Sequence, residues 1–417
     1  MDAFPYNQGE LCAEAVKLGD LATAYGTPLY VYSRTRLLGN YRAYADAFGA
    51  RATICYAVKA NPNGAILGEL AKAGAGADVV SGGEMARAHR AGVAPDKIVF
   101  AGVGKTADEL RAGLALGIRQ FNVESLAELR LLADIAAQMG RIAPLVLRIN
   151  PDVHAPTHAK IATGKKDNKF GLPKSEWRPA IQFLLDNRHL RLRGLGMHIG
   201  SQLLTLDPFA QAYAVLRAHL VELRAVGFAI DTVDLGGGIG IVYQAGQVQP
   251  DLMALAALAQ QHLGDLDLHW ILEPGRSIIG DAGILLTRVI SRKHNGEKDF
   301  LVVDAAMNDL LRPTLYQAYH HILPVKAMGD AAAWPLGDLV GPVCETGDYL
   351  AQDRPLPPAH SGDLLAIMGA GAYGASMAST YNSRPLVAEA MVDGARHGLI
   401  RRRQQLADLW ADEMAWA

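Results

Sequence analysis

Between about residue 50 and residue 275, short apolar runs rich in β-branched and aromatic residues alternate with amphipathic stretches of helical period. The runs are "TICYAV", "ADVV", "KIVFA", "QFNV", "PLVLRI", "LGMHI", "TVDL" and "HWIL". Eight strands, each followed by a helix, is the number that closes a parallel barrel. The stretches between them carry helix-start signals. Ser81 with Glu84, and Ser125 with Glu128, have the spacing of a capping box, in which a hydroxyl and a carboxylate satisfy free backbone N–H groups. After Ser125, Leu126, Leu129, Leu132, Ala133 and Ala136 recur on one helical face, and Gly140 can end that helix. Just past the carboxyl ends of the eight runs stand Lys59, Ser81, Gly102, Glu124, Asn150, His198, Gly236 and Glu273. A barrel brings these residues to one mouth, where catalytic groups gather. A doubly wound sheet would spread them along a crevice, and strand count alone leaves that arrangement open.

Past Gly280 the pattern changes. "GILLTRVISRK", "DFLVVDAA", "DLLAIMGAGAY" and "HGLIRRRQ" are separated by turn residues with little helical signal, which predicts a second, mostly antiparallel β domain. "LYVYS" near residue 30 is a candidate extra strand for it. The expected organisation is therefore a (β/α)8 barrel over 34–280 and a β domain made of 1–33 and 281–417. A chain of 417 residues, half of them hydrophobic and a fifth charged, is long enough for two such domains.

Charge and cysteine content narrow the function classes. A net charge of −2 with no dense Lys/Arg patch gives no footprint for nucleic acid, and "RRRQQ" at 401–405 reads as a solvated strand end. Cys12, Cys55 and Cys344 are too few and too scattered for a disulfide framework or a zinc site, which suits a reducing compartment. The first twenty residues carry charges throughout and lack the apolar core of a secretory leader, and no apolar run reaches membrane-span length. The expectation is a cytoplasmic protein with a small-molecule partner.

Several motifs carry chemistry. "YAVKANPN" sets Lys59 at the end of an apolar strand, where partial desolvation would make its amine a Schiff-base nucleophile. On this stretch alone, a surface lysine closing a strand is the simpler reading. "VDLGGGIGI" offers Gly236, Gly237 and Gly238, either as a backbone cradle for phosphate or only as a tight turn. The loops after the last two barrel strands are a common phosphate site. In "LEPGRSIIG", Glu273 needs a cationic partner if buried, which a protonated ring nitrogen or Arg276 would supply. His198 in "MHIGSQ" is a flat ring for stacking, or a satisfied core histidine; Tyr373 lies among small residues in "GAGAYGASMASTYNSRP". A Schiff-base lysine, a phosphate loop, an acid for a ring nitrogen and a stacking histidine together describe a site for pyridoxal 5′-phosphate.

"YAVKANPN", "GADVVSGGE", "HIGSQ", "LGGGIG", "EPGRSIIG", "LRPTLY", "GPVCETGD" and "GAYGASMASTYNSRP" run in order along nearly the whole chain. This set resembles the diaminopimelate decarboxylase family, of the alanine-racemase-like (fold-type III) class of pyridoxal phosphate enzymes. The resemblance implies that Lys59 holds the cofactor, His198 stacks on it, Ser201, Gly238, Gly275 and Arg276 hold or adjoin its phosphate, and Glu273 keeps the pyridine nitrogen protonated. It implies that Arg276 and Arg312 grip a substrate carboxylate, Tyr316 and Tyr373 bond to that carboxylate or to the phosphate, and Glu345 meets the distal ammonium. Without the resemblance, Arg312 reads equally as a structural donor and Glu345 as a solvated turn acid. Cys344 would be the proton donor, contributed by the neighbouring subunit of a homodimer with shared active sites. A neutral thiol, with a reference pKa of about 8.5, can supply a proton near neutral pH. Thr346 and Asn168 stand where the family often has serine.

The implied activity is decarboxylation of meso-2,6-diaminopimelate to L-lysine. A related ornithine- or arginine-type decarboxylase is the alternative, against which Arg312 and "CETGD" argue, because a plain amine side chain offers no distal carboxylate. A non-catalytic pyridoxal phosphate carrier would not need the β domain, and a racemase would pair the ring nitrogen with arginine rather than Glu273.

Overall fold

The computed structural model describes residues 3–153 and 169–416. The chain divides into two compact units, one of residues 40–241 and 248–277, the other of residues 1–39, 242–247 and 278–417.

The first unit is a closed barrel of eight parallel strands: β1 (Ala52–Ala57), β2 (Gly76–Val79), β3 (Ile98–Phe100), β4 (Gln120–Val123), β5 (Ala143–Arg148), β6 (Leu190–Gly196), β7 (Thr232–Asp234) and β8 (His269–Leu272). Each strand pairs in parallel with the next, and β8 closes on β1 with Trp270 opposite Ala52 and Leu272 opposite Ile54. The barrel expected from the apolar runs is thus present, and the open doubly wound sheet is not. The sixth strand begins earlier than "LGMHI" suggests, with the alternating segment Leu190–Gly196, and leaves Met197, His198 and Ile199 in the loop beyond it. That shift puts His198 at the mouth. Cys55, Val99 and Ile271 pack as a fully buried cluster in the barrel.

Polar side chains fix where the outer helices start. Ser81 and Ser125 accept hydrogen bonds from the N–H groups of Glu84 and Glu128, at 3.2 and 3.1 Å. The two carboxylates reach one residue further back than the box pattern implies, to the N–H groups of Val80 and Glu124. Each acid therefore ties its helix to the strand end before it. Helix Leu126–Gln138 stops where expected, with Gly140 left-handed just beyond it at φ 61°.

The second unit holds a nine-stranded sheet. Leu29–Ser33 lies at its centre, antiparallel to Gly283–Asn295 and parallel to Ala388–Asp393. "LYVYS" does join the β domain. Its core packs Leu11, Leu18, Leu29, Val31, Leu286 and Ala390. Residues 242–247 group with this unit, since the Tyr243 ring lies 4.8 Å from the Arg312 guanidinium and edge-on to His320. Among the described residues, no helix is long and apolar enough to cross a membrane.

Candidate active site

The carboxyl ends of the barrel strands enclose a cavity of about 380 Å³, lined in part by Lys59, Arg148, Phe170, His198 and Glu273. Lys59 sits in a short 3-10 turn directly after β1. Its side chain is 38% exposed, and its Nζ donates to Asp78 Oδ2 at 2.5 Å. Beyond the partial desolvation expected from the sequence, the amine forms an ion pair with a fully buried carboxylate on β2. The other oxygen, Asp78 Oδ1, has no hydrogen-bond partner among the described residues.

Glu273 follows β8 and is buried. Burial, and the negative charges of Asp234 and Asp78, push its carboxyl well above the ordinary range, and Lys59 only partly offsets them. Asp234, hydrogen-bonded to Glu273, is raised to about 6, chiefly by burial. The Asn122 amide donates to both acids, at 2.8 Å to Asp234 and 3.0 Å to Glu273.

His198 Nδ1 accepts the N–H of Gly237 at 3.3 Å. Burial, with the cations Arg148 and Lys59 nearby, holds this ring well below its usual pKa. The ring is neutral and carries its hydrogen on Nε2. Arg148 lies over the Phe170 ring at 4.9 Å and bonds Glu124 Oε1 at 2.8 Å. Glu124 also accepts the N–H groups of Gly102 and Gly171.

The glycine loop after β7 is drawn against its neighbours. A Cβ at Gly237 would lie 2.2 Å from the Glu273 carbonyl oxygen, and one at Gly238, where φ is 122°, 2.6 Å from that of Gly200. Tight packing thus accounts for part of the glycine requirement, and it brings the backbones following β6, β7 and β8 together. Gly275 packs over Ala57 and Ala60. Buried Arg276 donates to Ser201 Oγ at 3.1 Å. Arg276 is therefore turned toward Ser201.

The remaining candidates lie in the β unit. Arg312 is buried and donates to His320 Nε2 at 2.7 Å, while His320 Nδ1 donates to the Met368 carbonyl at 2.8 Å. Tyr316 and Tyr373 are half-buried, and Tyr373 is left-handed at φ 57°. Cys344, Glu345 and Thr346 are exposed on a turn. The Cys344 N–H donates to Asn382 Oδ1, and buried Asp348 accepts the N–H groups of Val343 and Met307. Cys12 and Cys55 are buried thiols pushed up by burial, as packing residues would be. Asn168 and most of segment 158–171 lie outside the described residues.

Sequence reading missed Asp78, Asn122 and Asp234, each a polar residue within a short barrel strand, and also His320. The signal available was polarity at the last or next-to-last position of β2, β4 and β7.

A parallel barrel with an amine, buried acids and glycine loops at its mouth has the features of the pyridoxal phosphate class. Residues 34–280 match the family described as pyridoxal-dependent decarboxylase, pyridoxal binding domain. The diaminopimelate decarboxylase of Zymomonas mobilis is 48% identical over 99% of this chain and 99% of its own length. Among solved structures, diaminopimelate decarboxylase from Helicobacter pylori complexed with L-lysine is 41% identical, covering 95% of this chain and 98% of that one, with a TM-score of 0.90. The M. jannaschii enzyme in co-complex with L-lysine is 38% identical over 99% and 98%, with a TM-score of 0.93. The chain belongs to the diaminopimelate decarboxylase family of pyridoxal-dependent decarboxylases.

Its residues fit the cofactor. Lys59 brings an amine to the cavity, Glu273 brings a carboxyl that can meet a ring nitrogen, and the crowded glycine loop beside Ser201 and Arg276 provides donors suited to a phosphate.

Proposed function

We infer that the chain decarboxylates meso-2,6-diaminopimelate, releasing CO2 and L-lysine in the last step of lysine biosynthesis. The observation that carries this reading is the convergence of Lys59, Asp78 and Glu273 at one barrel mouth, in a chain alike over its whole length to diaminopimelate decarboxylases.

When bound, pyridoxal phosphate supplies an electron sink for the pair left behind as CO2 departs. Lys59 is the amine that joins it covalently, and Asp78 holds that amine at the cavity wall. Neutral His198 offers a flat, uncharged face. Ser201, Gly238, Gly275 and Arg276 hold the phosphate, with Tyr373 as a further contact. Glu273 keeps the ring nitrogen protonated. Arg276, Arg312, Tyr316 and Tyr373 bind substrate carboxylate, and Glu345 binds the distal ammonium. His320 supports this assignment of Arg312, because it fixes one guanidinium nitrogen and leaves the planar fork oriented. Cys344 delivers its thiol proton to the carbon that has lost its carboxyl, and solvent then restores the thiol.

We assign cofactor binding to a barrel domain of residues 34–280. Substrate and dimer contacts fall to 1–33 and 281–417. Cys344 is exposed in the single chain, which supports a homodimer whose active sites are each completed by the second subunit. A biosynthetic enzyme acting on a free amino acid places the reaction in the cytoplasm, with no nucleic-acid partner.

The test is a substrate panel. The loaded enzyme is expected to turn over meso-diaminopimelate and to leave lysine and ornithine nearly untouched. Ornithine turnover of equal efficiency would move the assignment to a related diamino-acid decarboxylase, and failure to release CO2 from any of them would leave a cofactor carrier.

A further inference from the structure

Four polar side chains form a chain of hydrogen bonds across the barrel interior. Gln120 Nε2 donates to Asn122 Oδ1 at 2.9 Å, which fixes the Asn122 amide with its oxygen toward Gln120 and its NH2 toward the acids. The two hydrogens of that NH2 then go to Asp234 Oδ2 and to Glu273 Oε1. Asp234 Oδ1 accepts the Gly236 N–H at 3.0 Å. All four side chains are buried.

Two carboxylates in hydrogen-bond contact and out of water cannot both remain ionised, because repulsion and desolvation act in the same direction. Asp234 already accepts from Asn122 and Gly236, and these bonds favour its charge. Among the described residues Glu273 accepts one amide bond, from Asn122, and it faces the negative charge of Asp234 as well as that of Asp78. The proton therefore belongs on Glu273, whose carboxyl O–H donates a hydrogen bond to Asp234.

We propose that Asp234 and Asn122 are positioning residues for Glu273, fixing its carboxyl in one orientation and keeping one proton on the acid pair before the cofactor arrives. The importance of this proton for the reaction rests on the reading of Glu273 as the partner of the ring nitrogen. The hydrogen-bonded acid pair itself does not. The charged groups around Glu273 are Asp234 on β7, Asp78 on β2 and Lys59 after β1. Lys59 is positive and is already paired with Asp78, and Arg148 and Lys169 line the same cavity.

The test is infrared titration of the full chain stripped of cofactor. Glu84, Glu128 and Asp309 are also held above the ordinary carboxyl range by burial, so the Glu273 carbonyl band is assigned by difference against Glu273→Gln. The expected result is a protonated-carboxyl band that persists at neutral pH in the unmutated chain. In Asp234→Asn, which keeps the shape and removes the charge, the same band should disappear at a proton concentration at least about tenfold higher. A Glu273 band absent at neutral pH, or titrating identically in Asp234→Asn, would overturn the proposal. The measurement on the unmutated chain stands even if Asp234→Asn does not fold. If the band behaves as expected but reconstituted Glu273→Gln decarboxylates at the normal rate, the reading of Glu273 fails while the shared proton survives.

Discussion

Lys59 and Asp78 form the pair on which the site turns. The lysine is partly exposed and available for chemistry, while its carboxylate partner is sealed within the barrel. Lys59→Ala should abolish the visible absorbance of the covalently bound cofactor and its borohydride-trapped adduct. It should also lower the stability of the cofactor-free chain by about 1–3 kcal/mol, because Asp78 would be left buried and unpaired. The figure lies below that for a fully buried pair because solvent already screens Lys59. A trapped adduct elsewhere in the variant would transfer the role to another lysine. Lys59, His198 and Glu273 could be read in the sequence because each follows an apolar run, where a barrel sends its loops. Asp78, Asn122 and Asp234 could not, because a polar residue inside a short strand looks the same whether it faces helices or the barrel axis. Only closure of the barrel brings Asn122, Asp234 and Glu273 together, across sequence separations of 112 and 151 residues.

Among the elements, the β3–β4 corner depends on a lysine that carries no sequence signature. The Lys105 side chain is completely buried, and its ammonium donates to the carbonyls of Gly102 and Asn122 and to Glu128 Oε1, at 2.7, 2.8 and 2.6 Å. It joins the loop after β3, strand β4 and helix Leu126–Gln138, directly behind the cavity wall formed by Gly102 and Val103. Lys105→Met should destabilise the chain by about 3–5 kcal/mol, since Glu128 would lose the ammonium that offsets its burial and keep only the Glu124 N–H. Denaturant unfolding measures this, and a loss below 1 kcal/mol would mean that water reaches Glu128. The strand and helix order was legible because apolar runs and serine caps recur at regular spacing. The exact start of β6 was not, because "LRLRGLGMHI" alternates for longer than the strand itself and only pairing with β5 and β7 sets its end.

At the scale of the whole molecule, the proposed shared site makes a prediction for pairs of chains. Lys59→Ala and Cys344→Ala homodimers should each be nearly inactive. After subunit exchange, half of the dimers are mixed, each with one intact and one doubly defective site, so activity should recover to roughly a quarter of the unmutated value. No recovery, with exchange demonstrated by mass tagging, would place Cys344 within the same chain as its Lys59. The account as a whole claims that one carboxyl leaves meso-diaminopimelate and one proton replaces it. The most direct measurement is turnover of meso-diaminopimelate by the loaded enzyme in D2O, with CO2 counted and the product analysed by mass and NMR. The expected result is L-lysine and CO2 in equal amounts, with one non-exchangeable deuterium on the carbon that carried the lost carboxyl. Recovery of diaminopimelate with deuterium exchanged at its α-carbon and no CO2 would contradict the account.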